Sequence, residues 1–376
     1  NKLYKRTRKQ SRSLDTKGSS SWLKRFKNSW LVIFPVIFIF LAVGSYQALK
    51  SPPLENEIKE LLPTKQGQQV STAIKKTIPK NQPDKRKGEG SMSAADLLAT
   101  GEWEWKVTQK FDAPINTSNA ETCADMTADK LTIVYSSNTN TNYPDVNIWM
   151  ATRESVDSAW LQPVSLGEAI NTDAVEYQPS ISADGRELMF TRKVNGKWYT
   201  YLSKRNSPLS PWSEAIPCEN NAISQTAADI SSDGKTLVFT MFGLTTDERK
   251  WPGIFIRKRR SQNDVWGNIT SIGITENTDN FGSEGTISDD GRMLVFTQMD
   301  TNSFYNKQRI SKLSITTRSA WNAPWSIPVP FENQPDSWES RNPRLQPDGK
   351  TLLFGSDRLE KNNFDIYQAE LVKKKI

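Results

Sequence analysis

A hairpin repeated five times limits what this chain can fold into more than any other feature. Five stretches align: CADMTADKLTIVYSS from Cys123, PSISADGRELMFTRK from Pro179, ADISSDGKTLVFTMF from Ala228, GTISDDGRMLVFTQM from Gly285 and PRLQPDGKTLLFGSD from Pro343. Each reads as a short strand, an acidic turn, a basic residue and an apolar strand that reaches an aromatic. The turn aspartates Asp129, Asp184, Asp233, Asp290 and Asp348 are spaced by 55, 49, 57 and 58 residues. Asp-Gly predicts a two-residue hairpin turn, whose central positions both need positive φ. The first repeat has Lys130 in place of the glycine, so its turn must differ or carry strain.

Each repeat continues with a third strand: VNIWMATR, WYTYLSKR, GIFIRKRR, RISKLSIT and FDIYQAEL. A fourth is expected near Trp160, Trp212, Trp266 and Trp321. Units of about 50–58 residues with four short strands predict propeller blades, which bury their faces only by stacking radially. The fifth repeat runs out of chain before its fourth strand. WKVTQKFDAPINT from Trp105 matches WLQPVSLGEAINT from Trp160, and both tryptophans lie 24 residues before a turn aspartate. The N-terminal segment is therefore expected to supply the outer strand of the last blade. This predicts an all-β, five-bladed propeller over 101–376, closed by an N-terminal strand that also covers an open sheet edge.

The charge is divided along the chain. Residues 1–100 hold 19 Lys/Arg and 7 Asp/Glu, and the remainder holds 30 and 35. The basic character therefore lies outside the repeats, which argues against a nucleic-acid-binding domain. Ser29 to Leu49 is uncharged and long enough to cross a bilayer as a helix, with Trp30 and Tyr46 near its ends. Ten Lys/Arg precede it against Asp15 alone, so the positive-inside rule predicts a cytoplasmic N-terminus and an extracytoplasmic propeller. This divides the chain into a basic tail (1–28), a single transmembrane helix (29–49), a polar, disordered tether (50–100) and the propeller (101–376). Short helical turns are expected at 54–62 and 94–99. A cleaved signal peptide, with small residues near Gly44, is the alternative; the apolar run is longer than an ordinary signal core.

With no histidine in the chain, Ser-His-Asp and Cys-His arrangements and imidazole metal ligands are excluded. Cys123 and Cys218 are too few for a disulfide framework or a thiolate zinc site and read as two inert thiols. The patch Asp279, Glu284, Asp289 and Asp290 lacks the alternating spacing of a calcium loop. No metal or cofactor is expected.

The repeats resemble the WD40-like PD40 family, the propeller repeat of TolB-like proteins, over about residues 101–376. The resemblance rests on the Pro, short strand, Asp-Gly-Lys/Arg and apolar strand ending in Phe, on Asp365-Ile366-Tyr367, and on Trp212-Ser213-Glu214. It implies the fold but not a function, because the fold hosts both binding scaffolds and parts of enzymes. TolB itself would bring a small α/β domain and six blades, and here the tether is too short for the one and the repeats too few for the other.

The candidate site is the mouth of the central funnel. Eight residues before the turn aspartates stand Glu121, Glu176, Gln225, Gly282 and Ser340; Glu284 and Glu339 lie close to that register, and Tyr177, Phe281 and Trp338 flank it. An acidic and aromatic ring suits a sugar, a cation or a basic peptide. The loop aromatics Trp251, Phe304 and Tyr305 are further candidate contacts. The expected function is a non-catalytic cell-envelope scaffold presenting the propeller to protein, peptide or glycan partners. The alternative is a membrane-tethered glycoside hydrolase using funnel carboxylates, which needs two carboxylates in unlike environments across a pocket. No Gly-x-Ser-x-Gly elbow and no phosphate-binding glycine loop is present.

Overall fold

The computed structural model describes residues 92–138, 146–218, 225–241, 253–262, 264–274, 280–300 and 310–375. The basic tail, the Ser29–Leu49 run, tether residues 50–91, Asp279, and the loop aromatics Trp251, Phe304 and Tyr305 lie outside them. Among the described residues no helix is long and apolar enough to cross a membrane.

Five four-stranded antiparallel sheets form the blades. Blade 1 is β2 (Glu121–Met126), β3 (Thr132–Asn138), β4 (Val146–Thr152) and β5 (Val164–Ser165). Blade 2 is β6 (Glu176–Ile181), β7 (Glu187–Val194), β8 (Lys197–Lys204) and β9 (Ile216–Pro217). Blade 3 is β10 (Gln225–Ile230), β11 (Thr236–Met241), β12 (Gly253–Lys258) and β13 (Thr270–Ser271). Blade 4 is β14 (Asn280–Ile287), β15 (Met293–Asp300), β16 (Ser311–Thr317) and β17 (Val329–Pro330). Blade 5 joins β18 (Ser340–Leu345), β19 (Thr351–Glu360) and β20 (Asn363–Lys373) to β1 (Trp103–Lys110) from the other end of the chain.

The expected closure is present: β1 runs antiparallel to β20, from Trp103 opposite Lys373 to Lys110 opposite Tyr367. Its register also explains the match of Trp105 to Trp160. In blades 1 to 4 a tryptophan precedes the outer strand and lies under the arginine that immediately follows the third strand. The guanidinium carbons of Arg153, Arg205, Arg259 and Arg318 stand 4.4, 4.2, 4.3 and 4.2 Å from the rings of Trp160, Trp212, Trp266 and Trp325. Each arginine's Nε also donates to a turn carbonyl, that of Lys130, Gly185, Gly234 or Gly291. In blade 5 Trp105 stands opposite Leu371, and an apolar contact replaces the stacked cation. Trp325, not the expected Trp321, is thus the fourth blade's counterpart. Trp321 packs beside the same arginine and covers Gly291, where a Cβ would run into its ring.

The turns differ from the two-residue type expected. Only the glycines have positive φ (Gly185, Gly234, Gly291 and Gly349, +64° to +70°), whereas a type I′ turn would need it at the aspartate too. The aspartate instead accepts the backbone N–H two residues on, as Asp184 does from Arg186 and Asp233 from Lys235. Lys130 adopts the same conformation, with φ of 59°, so the first turn keeps the geometry and carries the strain.

The second strands are apolar without alternation because each sheet is buried on both faces. Ile133 and Tyr135 pack with Leu353 and Ile366 of blade 5, while the intervening Val134 packs with Leu188 and Phe190 of blade 2. The aromatic column Tyr135, Phe190, Phe239, Phe296 and Phe354 is buried throughout. A short helix, α1 (Ala94–Ala99), is capped by Ser93 and packs Leu97, fully buried, against Met293, Phe331 and Phe354. Asp96 pairs with Arg292 at 2.7 Å. Among the described residues, packed structure therefore extends ahead of Gly101, back to Met92.

Candidate functional site in the central channel

The inner strands β2, β6, β10, β14 and β18 surround the channel, and all five break at the same place. Cys123, Gln178, Ala227, Glu284 and Asn342 have φ between 53° and 58°, and the ladder slips there in every blade. None is a glycine, so each holds a left-handed conformation that costs on the order of 1–3 kcal/mol. Four of the strained N–H groups are met by a hydroxyl of the preceding blade: Gln178 by Ser136, Ala227 by Thr191, Glu284 by Thr240 and Asn342 by Thr297. The fifth column position is Gly355, against which Thr122 packs so closely that a Cβ would collide with its hydroxyl.

The bulges turn successive side chains toward the axis, and two braces cross it. Gln178 of blade 2 donates to Glu284 of blade 4 at 3.1 Å. Arg344 of blade 5 reaches blade 3, donating to Ala228 O at 3.3 Å with its Nε 3.6 Å from Asp229. Arg344 is fully buried. Asp125 lies at the same level, accepting from Met126 N, Ile181 N and Gln346 Nε2. Burial, then the Asp229 charge, pushes Asp125 up to about 7. Burial also raises Asp229 against the pull of Arg344.

Glu121 and Glu176 are buried within their own blades. Glu121 accepts from Thr117 N and Oγ1 and from Ser137; Glu176 accepts from Thr172 N and Oγ1 and from Arg192. Burial is the leading cause of the upward shift of both. They fasten the Ile-Asn-Thr loops, whose Asn116 and Asn171 bond the neighbouring strand backbone. Asn116, the asparagine of a glycosylation sequon, is consumed in this way. Gln225 is buried. Glu339 faces Lys361, and Trp338 lies under Arg358 at 4.4 Å. The Phe281 backbone pairs with Met299; its side chain is outside the described residues.

Of the expected ring, the structure brings Tyr177 and Glu284 together near the axis, beside Cys123, Arg341 and Asn342. Tyr177 Oη donates to Asn342 Oδ1 at 3.4 Å. Burial raises the Tyr177 phenol, and burial pushes the Cys123 thiol up to about 11. Cys123 and Cys218 are not joined. The acidic patch is divided among separate tasks: Asp289 accepts from Ser232, Asp290 from Ser288, and Glu284 from Gln178, Thr297 and Asn342 N. Among the described residues no group of three or more potential ligands that could hold a metal ion occurs. Arg341, Asn342, Arg344, Asp125 and Asp229 were not among the expected site residues. A column four residues before each turn aspartate, reading Asp125, Ser180, Asp229, Thr286 and Arg344, contains the signal.

No protein-family model and no curated protein matches the chain. Similar solved structures include TolB from Acinetobacter baumannii (17% identity, TM-score 0.42, 67% of this chain and 56% of that one). They also include a glycoside hydrolase (11%, TM-score 0.48, 75% and 95%). A third is the α-L-arabinofuranosidase PaAbf62A from Podospora anserina in complex with cellotriose (10%, TM-score 0.45, 72% and 98%). The chain spans little more than half the length of that TolB.

Proposed function

We propose that the propeller is a non-catalytic binding module of the cell envelope, held outside the cytoplasm by Ser29–Leu49 and offering its channel mouth to a protein or carbohydrate ligand. One observation carries the non-catalytic part. The five carboxylates of the described inner-strand residues, Glu121, Asp125, Glu176, Asp229 and Glu284, are each engaged by framework groups. A general acid or nucleophile must face the substrate. Asp125 and Asp229 are each 5% exposed and sit at the level where Arg344 crosses the axis. The membrane part is supported by the uncharged run and the ten basic residues that precede it.

The alternative, a glycoside hydrolase, draws on Asp125, whose raised pKa is what a general acid requires. The two readings separate in an assay of the full chain in lipid nanodiscs against aryl glycosides. The binding reading expects no hydrolysis that Asp125→Asn or Glu284→Gln removes. Hydrolysis present in the parent and abolished by either substitution overturns it.

A further inference from the structure

The channel mouth holds an arginine that has carboxylates in its surroundings but none in contact with it. Among the described residues Arg341 makes no ion pair and no hydrogen bond; its guanidinium lies on the Phe364 ring at 3.7 Å, and its buried Nε has no partner. The other described arginines of blade 5 are both ion-paired: Arg344 with Asp229 and Arg358 with Glu332. Asn342 beside it is fully buried, and its Nδ2 is also unpartnered. So is the Oγ of Ser283, which holds the same register position in blade 4 as Arg341 in blade 5. A buried donor left unpaired costs about 1–3 kcal/mol, so several at one place mark a site whose partner comes from outside. Glu284 makes no ion pair with it; its oxygens accept instead from Gln178, Thr297 and Asn342 N. Burial works against the Arg341 cation, and the negative groups around it, Glu284 and Glu339 among them, outweigh that and keep it charged.

Resting on the binding reading above, we propose that the channel mouth takes the carboxylate of a sugar acid, a terminal hexuronate-type unit. Arg341, which is only half-buried, is the fork for the carboxylate. A guanidinium fixed flat on an aromatic ring loses little freedom when it closes on a planar carboxylate. The Ser283 hydroxyl can donate and accept, and Tyr177 Oη, whose proton goes to Asn342 Oδ1, can accept, which suits sugar hydroxyls. The Gln178–Glu284 brace crosses the axis one residue deeper along the inner strands, which favours an end group over a threaded chain.

The test uses the full chain in nanodiscs, titrated calorimetrically with galacturonate, with galactose as its neutral counterpart, and with a short peptide bearing a free C-terminal carboxylate. Galacturonate is expected to bind about 10- to 100-fold more tightly than galactose, the worth of a charge-assisted hydrogen bond. Arg341→Met is expected to remove that preference, and Arg341→Lys to keep part of it. Tyr177→Phe, which retains the ring, is a milder second variant, and tryptophan-monitored melting of each variant reports folding. Equal binding of both sugars, a preference that survives Arg341→Met in a folded protein, binding of the peptide alone, or binding of no probe would each overturn the proposal. Cleavage of a galacturonate-capped oligosaccharide would instead sink the non-catalytic reading and leave the sugar-acid site standing.

Discussion

Arg344 is the side chain whose removal says most about how the ring holds together. It is fully buried, crosses from blade 5 to blade 3, and has its Nε 3.6 Å from Asp229, with Asp125 at the same level. Arg344→Met keeps an apolar stem of similar length and removes the cation. Asp229 then remains buried without its countercharge, and stranding one member of a buried pair costs about 3–5 kcal/mol. For a folded unit of this size each kcal/mol moves Tm by roughly 2–3 °C, so a fall of about 6–15 °C is expected at pH 8. The stranded carboxylates escape part of the penalty by taking up protons, so the fall should shrink at pH 5. Asp229→Asn in the same chain should return most of the loss, because the charge that needed Arg344 is gone. Tryptophan fluorescence melts of the detergent-solubilised full chain read all three. Arg344→Met melting within 1 °C of the parent at pH 8, or a double variant no better than the single, would refute the brace.

Asp125 predicts a pH dependence of its own. Its folded pKa of about 7 lies above the unfolded value of 3.8, so the folded state binds the extra proton. That contribution is complete below pH 4 and lost as pH rises through 7, with an upper bound of about 4 kcal/mol. Tm should therefore fall from pH 5 to pH 8, and Asp125→Asn should flatten the profile; an unchanged slope would contradict it. Leu97→Ala, in a helix residue with no exposed surface, should cost about 2–5 kcal/mol by denaturant titration if α1 belongs to the folded unit. Gly355→Ala should cost about 1–3 kcal/mol by driving a methyl into Thr122, and Thr122→Ala in the same chain should restore part of it. Lys130→Gly should raise stability by about 1 kcal/mol by relieving the left-handed lysine, less any contribution from its exposed bridge to Asp348.

The ring was legible because its causes are local and repeated. Asp-Gly turns, continuous apolar second strands and their terminal aromatics each leave a mark at the same offset in every repeat. The closing strand was legible for the same reason, since Trp105 and Trp160 meet the same register of the third strand. The site was less legible because side-chain direction in the inner strands is not periodic. The left-handed residue reverses the alternation partway along each strand, and all five such residues are non-glycine, so nothing in their identity announces it. Counting outward from the turn put Glu121 and Glu176 at the mouth, whereas the loops preceding them fold back and bury both.

Blade 5 carries the departures from the repeat, and geometry gives the reason. Around an axis shared by five strands, a column of five long side chains cannot fit, and a column of five short ones leaves a void. One long chain among short ones fills it. Asp125, Ser180, Asp229 and Thr286 are short, and Arg344 spans the gap; Thr127, Ser182, Ser231 and Ser288 are short, and Gln346 reaches Asp125. The same strand supplies Arg341 at the mouth, where Thr122, Thr226 and Ser283 are small and Tyr177 alone is large. A segment, β18 and the residue after it, that already differs at two levels to plug the axis is the one that differs at the third, where the plug ends and Arg341 Nε is left without a partner among the described residues.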